Sequence, residues 1–180
     1  PESASHPAPL SSRPSGRMPG TDIRDAALTD LEGLVALETR TFASDRLSRR
    51  SLRRLVGSPS ARLRVAGSRE RLAGYYLGFF RKGASVARLY SIAVAEASRG
   101  TGLGRRLLAD AEAVAIRAGQ RLLRLEVREE NLSAIRLYEG RGYRRIGRYP
   151  RYYADGVDAL RYEKALPAAQ APRRSSGSPG

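Results

Sequence analysis

The chain has 180 residues, 41% hydrophobic and 28% charged, the size and balance of one folded domain with a real core. It has no cysteine, which excludes disulfides, thiolate nucleophiles and zinc–thiolate sites, and no run approaches the eighteen or so apolar residues that a membrane helix needs. The formal net charge of +15, carried almost wholly by scattered arginines, favours anionic partners: nucleic acid, ribosomes or a phosphorylated cofactor.

Residues 1–20, rich in Pro, Ser, Ala and Gly, are expected to form a disordered tail, and so are residues 167–180, "PAAQAPRRSSGSPG". The first tail has no apolar core of the kind a secretory signal carries, so the default compartment is the cytoplasm. Between the tails, residues 21–166 read as one domain with the order β-α-α-β-β-β-α-β-α-β-β. A short strand at "TDIRDA" precedes a helix at "TDLEGLVALETRTF", where Thr29 and Glu32 have capping-box spacing. Leu31, Leu34, Val35 and Leu37 follow at helical intervals. A second, arginine-rich helix covers "SRRSLRRLV". Strands are expected at "ARLRVAG", "RLAGYYLGFFR" and "VARLYSIAV", separated by the turn signals Gly67-Ser68 and Lys82-Gly83.

After "LYSIAV" comes Arg99-Gly100-Thr101-Gly102-Leu103-Gly104, and then an amphipathic helix with Leu103, Leu107, Leu108, Ala111, Val114, Ala115 and Ala118 on one face. A helix start leaves N–H groups unpaired and carries partial positive charge. Glycines let those amides approach a phosphate, and Arg99, Arg105 and Arg106 add charge; the alternative is an ordinary strand-to-helix turn with solvated arginines. No P-loop motif is present, and the glycine spacing is not that of a Rossmann fingerprint. Then follow a strand at "RLLRLEV", a short helix at "SAIRLYEGRG" and a closing pair of strands at "YRRIGRYP" and "DALRYEKAL". The expected class is α/β (α+β), with a partly antiparallel sheet.

Arg99-x-x-Gly102-x-Gly104, placed between a strand and a helix, resembles the [RQ]-x-x-G-x-[GA] signature of the GNAT acetyltransferases. "LEVREENLSAIRLYEGRGYRRIGR" is similar to the second half of the RimI-type N-acetyltransferases. "RYYADGVDALRYEKAL" is similar to a segment shared by RimI and the NatA-type N-terminal acetyltransferases. The resemblance covers about residues 21–166 and implies the GNAT fold, a mixed sheet of about seven strands flanked by about four helices. It also implies acetyl-CoA as co-substrate without a metal, and a peptide or protein N-terminus, such as that of a ribosomal protein, as acceptor.

On this resemblance Glu126 is the general base and Tyr138 the general acid. From position alone, Glu126 reads as a solvent-side residue or an arginine partner rather than a base, and Tyr138 as core. The resemblance places the pantetheine arm along the backbone of Ile92, Ala93 and Val94. It places the pyrophosphate on Arg99, Gly100, Thr101, Gly102, Leu103, Gly104 and Arg105, and assigns Asn131 to cofactor binding, where the bland alternative is a loop residue before a helix capped by Ser133. Phe42, Tyr152 and Tyr153 are the expected acceptor-binding residues. RimI-type members carry a Pro-Trp pair between the first two helices; here "RTFASDRLSRRSLRRL" stands instead. Its crowded arginines Arg46, Arg49, Arg50, Arg53 and Arg54 suggest either a solvated face or an acidic acceptor.

Two other readings stand beside this one: a GNAT enzyme acting on a small amine or lysine side chain, and a non-enzymatic RNA- or ribosome-binding protein. The last has no RNP, KH or basic-arm pattern and no interleaved aromatics to support a direct nucleic-acid site. The sole histidine, His6, lies in a tail, so no metal site is expected. Met18, the only methionine, is expected to be the translation start. Mass spectrometry of the native N-terminus should then find no peptide from residues 1–17, and finding one would refute this.

Overall fold

The computed structural model describes residues 22–169; the first expected tail with Met18, and residues 170–180 of the second, lie outside them. Seven strands form one sheet in the order β1-β2-β3-β4-β5-β7-β6. They are β1 (Ile23–Asp25), β2 (Ala61–Gly67), β3 (Leu72–Phe79), β4 (Val86–Val94), β5 (Leu122–Arg128), β6 (Arg144–Tyr149) and β7 (Ala159–Ala165). The helices are α1 (Leu31–Thr41), α2 (Arg49–Leu55), α3 (Leu103–Arg117) and α4 (Leu132–Gly140). β4 and β5 pair in parallel and every other neighbouring pair is antiparallel. The sequence-based elements all appear, with ends moved by a few residues.

Two cores lie on opposite faces of the sheet. On one, α3 (Leu107, Leu108, Ala111, Ala115) and Tyr138 of α4 pack on Ala87, Leu89, Leu123, Leu125, Val127, Leu160 and Tyr162. On the other, Leu31, Leu34 and Leu37 of α1 and Leu52 of α2 pack on Leu63, Val65, Tyr75, Leu77 and Ala93. Nothing from β5, β6 or β7 belongs to this second core. Half of that face is therefore uncovered by helix, and β5 shows it in its alternation: Leu123, Leu125 and Val127 point inward, Arg124, Glu126 and Arg128 outward.

Two of the expected caps differ. The start of α1 is organised by Asp30 rather than by Thr29 and Glu32. Asp30 is fully buried, accepts from Ala27 N–H at 2.8 Å, and takes two bonds from Arg24 at 2.7 and 2.8 Å. Glu32 pairs instead with Arg49. At α4 the cap is Asn131 itself, whose Oδ1 accepts from Ala134 N–H at 3.1 Å, and not Ser133. Asp30 stands one residue after the expected cap and Asn131 two residues before it, and a carboxylate or carboxamide accepts from a free N–H as well as a hydroxyl does.

A buried polar cluster ties α1 to the sheet. Glu38, 2% exposed, accepts from the Tyr75 hydroxyl and, at 2.6 Å, from Leu47 N–H. The Tyr75 hydroxyl also lies 2.9 Å from Ser91 Oγ. Burial pushes the Glu38 carboxyl above the usual range, while the bonds from Tyr75 and Leu47 pull it back. Tyr75→Phe strips a partner from the buried Glu38 carboxylate and from the half-buried Ser91 hydroxyl, which costs about 1–3 kcal/mol. At about 2–4 °C per kcal/mol for a domain of this size, calorimetry should record a melting temperature several degrees lower. An unchanged melting temperature would mean the cluster contributes nothing.

Candidate active site

The site begins where two strands part. β4 and β5 pair from Val86↔Leu122 to Leu89↔Leu125 and no further, although β4 runs on to Val94 and β5 to Arg128. A bulge in β4 against β3 places Tyr90 outside the register between Leu89 and Ser91, and it reverses the alternation. Ala87 and Leu89 face α3 and α4, yet Ala93 faces α1 and α2, while Ile92 and Val94 pack against the α3–α4 core.

The register decides which backbone groups are free. Ala95 N–H donates to Ala73 C=O, so in the antiparallel ladder Ala93 and Ser91 point their amides toward β3. Ile92 and Val94 point theirs away from it, into the gap. Of the three expected cofactor-binding positions, then, Ile92 and Val94 present backbone groups for a polar strand-like ligand, and Ala93 is committed to β3.

The glycine-rich turn leads from this gap into α3. Gly100 and Gly102 have φ of +75° and +82°, and a Cβ at either would meet only open space; glycine is required there by conformation, and it leaves the helix start uncovered. The first intrahelical bond runs from Arg106 N–H to Gly102 C=O. The amides of Leu103, Gly104 and Arg105 therefore come before it and stay available. The side chain of Leu103 is core, and the Thr101 hydroxyl donates to Ser98 C=O at 2.5 Å, so these two residues can offer an anion only backbone. Arg99 and Arg105 are exposed. This turn has the donors, the dipole and the clearance that a pyrophosphate needs.

Glu126 stands on the open face just past the last β4–β5 pair. Its side chain is 10% exposed and lies between two guanidiniums. Arg88 Nε and Nη2 donate to Oε2 at 3.3 and 3.2 Å, and Arg161 Nε approaches Oε1 at 3.8 Å. Arg88 Nη2 also reaches the Tyr152 hydroxyl at 2.9 Å. Burial works against the charge on Arg88, but Glu126 and Tyr152 more than offset it. Val86, Arg88, Arg124, Glu126, Tyr149, Tyr152 and Arg161 line a pocket of about 340 Å³.

Tyr138 reaches the sheet from the other face. It is buried, and its hydroxyl makes no hydrogen bond among the described residues. Burial first, and the nearby Tyr153 second, push its phenol well above the ordinary value. Tyr153 is pushed up to about 12, by burial and then by Tyr152, and it also feels Glu126. Tyr153 thus lies within electrostatic reach of both Glu126 and Tyr138.

The pocket walls are held from outside by Arg128. It pairs with Asp155, lies 3.1 Å from Glu130 and 3.4 Å from Ser44 Oγ, and stacks 4.7 Å over the Tyr153 ring. Asp45 accepts from Ala154 N–H at 3.2 Å. The α1–α2 loop is thereby latched to the β6–β7 hairpin. Of the expected acceptor residues, Tyr152 lines the pocket, Tyr153 stands behind it, and Phe42 packs against the α1–α2 core instead.

The profile of the acetyltransferase (GNAT) domain matches residues 23–166. The chain belongs to the GNAT acetyltransferase family. It is similar to an uncharacterized protein of Mycobacterium leprae (strain TN), 49% identical over 72 residues, or 39% of this chain, and it spans only 19% of that relative's length. With the N-alpha-acetyltransferase RimI of Mycobacterium tuberculosis (strain H37Rv) it shares 33% identity over 155 residues, 83% of this chain and 89% of that protein. Among solved structures, the ribosomal-protein-S18-alanine N-acetyltransferase from Escherichia coli superposes with a TM-score of 0.71 at 27% identity, covering 85% of this chain and 97% of the other.

Sequence reasoning did not single out Arg88, Arg161, Tyr149, Arg128 or Glu38. Arg88 carried a faint signal, a charge inside an otherwise apolar strand; Arg161 becomes meaningful only once it pairs across the sheet with Glu126. The latch yields a direct prediction. In Asp45→Ala the Ala154 amide loses its acceptor, and its hydrogen exchange should accelerate at least several-fold while the melting temperature changes little. Unchanged exchange at Ala154 would show that the two loops are held by something else.

Proposed function

We propose that this protein transfers the acetyl group of acetyl-CoA directly to the α-amine of a peptide or protein N-terminus, with Glu126 as general base and Tyr138 as general acid. The observation that carries the reading is the parting of β4 and β5 beyond Leu89 and Leu125, with Glu126 at its edge and Tyr138 buried behind it. Family membership and the similarity to two N-terminal acetyltransferases support the same assignment. The E. coli relative is named for an alanine of a ribosomal protein, so ribosomal-protein N-termini are the first acceptors to try.

Acetyl-CoA supplies an acetyl group activated as a thioester. Ile92 and Val94 would hold its amide arm through backbone groups. The amides of Leu103, Gly104 and Arg105, with Arg99 and Arg105, would hold its pyrophosphate, and Asn131, whose Oδ1 caps α4, would contribute its side-chain NH2 to the cofactor. The acceptor amine must lose a proton to attack. An α-amine, with an ordinary pKa near 7.7–8.0, is about a tenth neutral at pH 7, whereas a lysine near 10.4 is far less so. Glu126 takes that proton, directly or through water. Tyr138 holds a proton at its hydroxyl and gives it to the departing sulfur. Because burial keeps this phenol protonated well past pH 10, it is a donor throughout the working range.

The test is thiol release from acetyl-CoA with short peptides, their N-termini free or blocked, and with spermidine. Turnover is expected only with free α-amines. Glu126→Gln and Tyr138→Phe should each lower kcat by roughly 10²–10⁴, with CoA binding retained. Turnover of spermidine or of internal lysines alone would overturn the reading.

The pH profile is a separate check. As pH rises, kcat/KM of the wild type should climb through the amine pKa near 8 and then stay level to about pH 10. A falling limb between pH 8 and 10 would mean that Tyr138 is not the acid.

A further inference from the structure

The charges of the pocket do not balance. Three guanidiniums, those of Arg88, Arg124 and Arg161, line it together with one carboxylate, Glu126. Arg124 is taken up by its cross-strand partner Glu163. Arg88 and Arg161 are left to share Glu126, one positive charge in excess. Arg88 fills its remaining reach with the Tyr152 hydroxyl rather than with a second carboxylate. Arg161 is worse placed: its Nε is shut away from solvent with no hydrogen-bond partner, 3.8 Å from a carboxylate oxygen it does not bond. A buried guanidinium N–H without an acceptor is costly, and the Arg161 side chain, 31% exposed as a whole, can turn its guanidinium toward a second carboxylate entering the pocket, which would satisfy it.

The surroundings favour an organic acid rather than a bare ion. Tyr149 and Tyr152 stack at 5.7 Å with their planes 20° apart, and Arg161 lies 5.4 Å over the Tyr149 ring. Both tyrosines are substantially exposed, so they form an aromatic wall beside a cationic floor. The pocket, at about 340 Å³, has room for one or two amino-acid side chains. The arginines of α2 are not part of it, and Arg49 is engaged with Glu32 on α1.

We infer that the acceptor pocket selects N-termini whose first or second residue carries a side-chain carboxylate, read by Arg88 and Arg161. The inference rests on the α-amine acetyltransferase reading above. It also links recognition to catalysis: a carboxylate that engages Arg88 and Arg161 draws both away from Glu126 and leaves that base free to take the amine proton. An acceptor with lysine or arginine at the same position meets like charge and is turned away.

The experiment compares kcat/KM, by thiol release from acetyl-CoA, for peptides that differ only in Asp against Asn at position 1 or Glu against Gln at position 2. A charge-assisted pair of this kind gives roughly ten- to a hundredfold preference for the acid, reduced at high salt. Arg161→Gln should bring the ratio to within about twofold of one, and Arg88→Gln should lower it too; Arg161→Lys should retain part of it. A ratio within one protein does not depend on how much of the variant folds. A wild-type ratio near one with good turnover of the neutral peptides, or a ratio undiminished in both glutamine variants, overturns the inference and leaves the proposed activity standing. No turnover of any peptide, with spermidine acetylated, overturns both.

Discussion

A parallel strand pair that stops while both of its strands continue is the constraint on which the rest of the molecule depends. Beyond Leu89 and Leu125, β4 has lost one neighbour and β5 has lost the other. Backbone groups left in such a position must find partners or remain wet. The bulge at Tyr90 fixes which groups these are, because it sets the amides of Ile92 and Val94 toward the gap and that of Ala93 toward β3. It also rotates the side chains beyond it, so that one strand contributes to both cores.

The two faces then divide the labour. The α3–α4 face is packed, and it supplies the glycine-rich helix start and a buried phenol. The opposite face is covered over β2, β3 and β4 by α1 and α2 and left open over β5, β6 and β7. Charged side chains occupy the open half in cross-strand pairs, Glu126 with Arg161 and Arg124 with Glu163. Glu38 anchors the end of the α1–α2 loop from below, through Leu47 and Tyr75, while Arg128 and Asp45 fasten the same loop to the β6–β7 hairpin from the side. The arginine-lined pocket on this open half takes its walls from β4, β5, β7 and the β6–β7 hairpin.

Periodicity was enough to read the elements, because the alternation in β5 and the 3.6-residue spacing in α3 are both enforced by burial. The glycine-rich turn was legible too, since Gly100 and Gly102 answer to backbone conformation, which a local motif records. The arginine-lined pocket was not. Arg88, Arg124 and Arg161 come from β4, β5 and β7, and no local spacing marks them as neighbours. The α2 arginines were conspicuous in sequence because they are consecutive, yet they lie outside the pocket. The caps failed in a smaller way, as Thr29 and Ser133 had the right chemistry but Asp30 and Asn131 had the right place.

The decisive measurement is amide-resolved hydrogen exchange with and without CoA. If CoA lies along the gap and the glycine-rich turn, exchange slows at Ile92, Val94, Leu103, Gly104 and Arg105 and does not change at Ala93, which β3 already holds. Protection confined to the arginine-lined pocket, or absent from Ile92 and Val94, would rule that placement out.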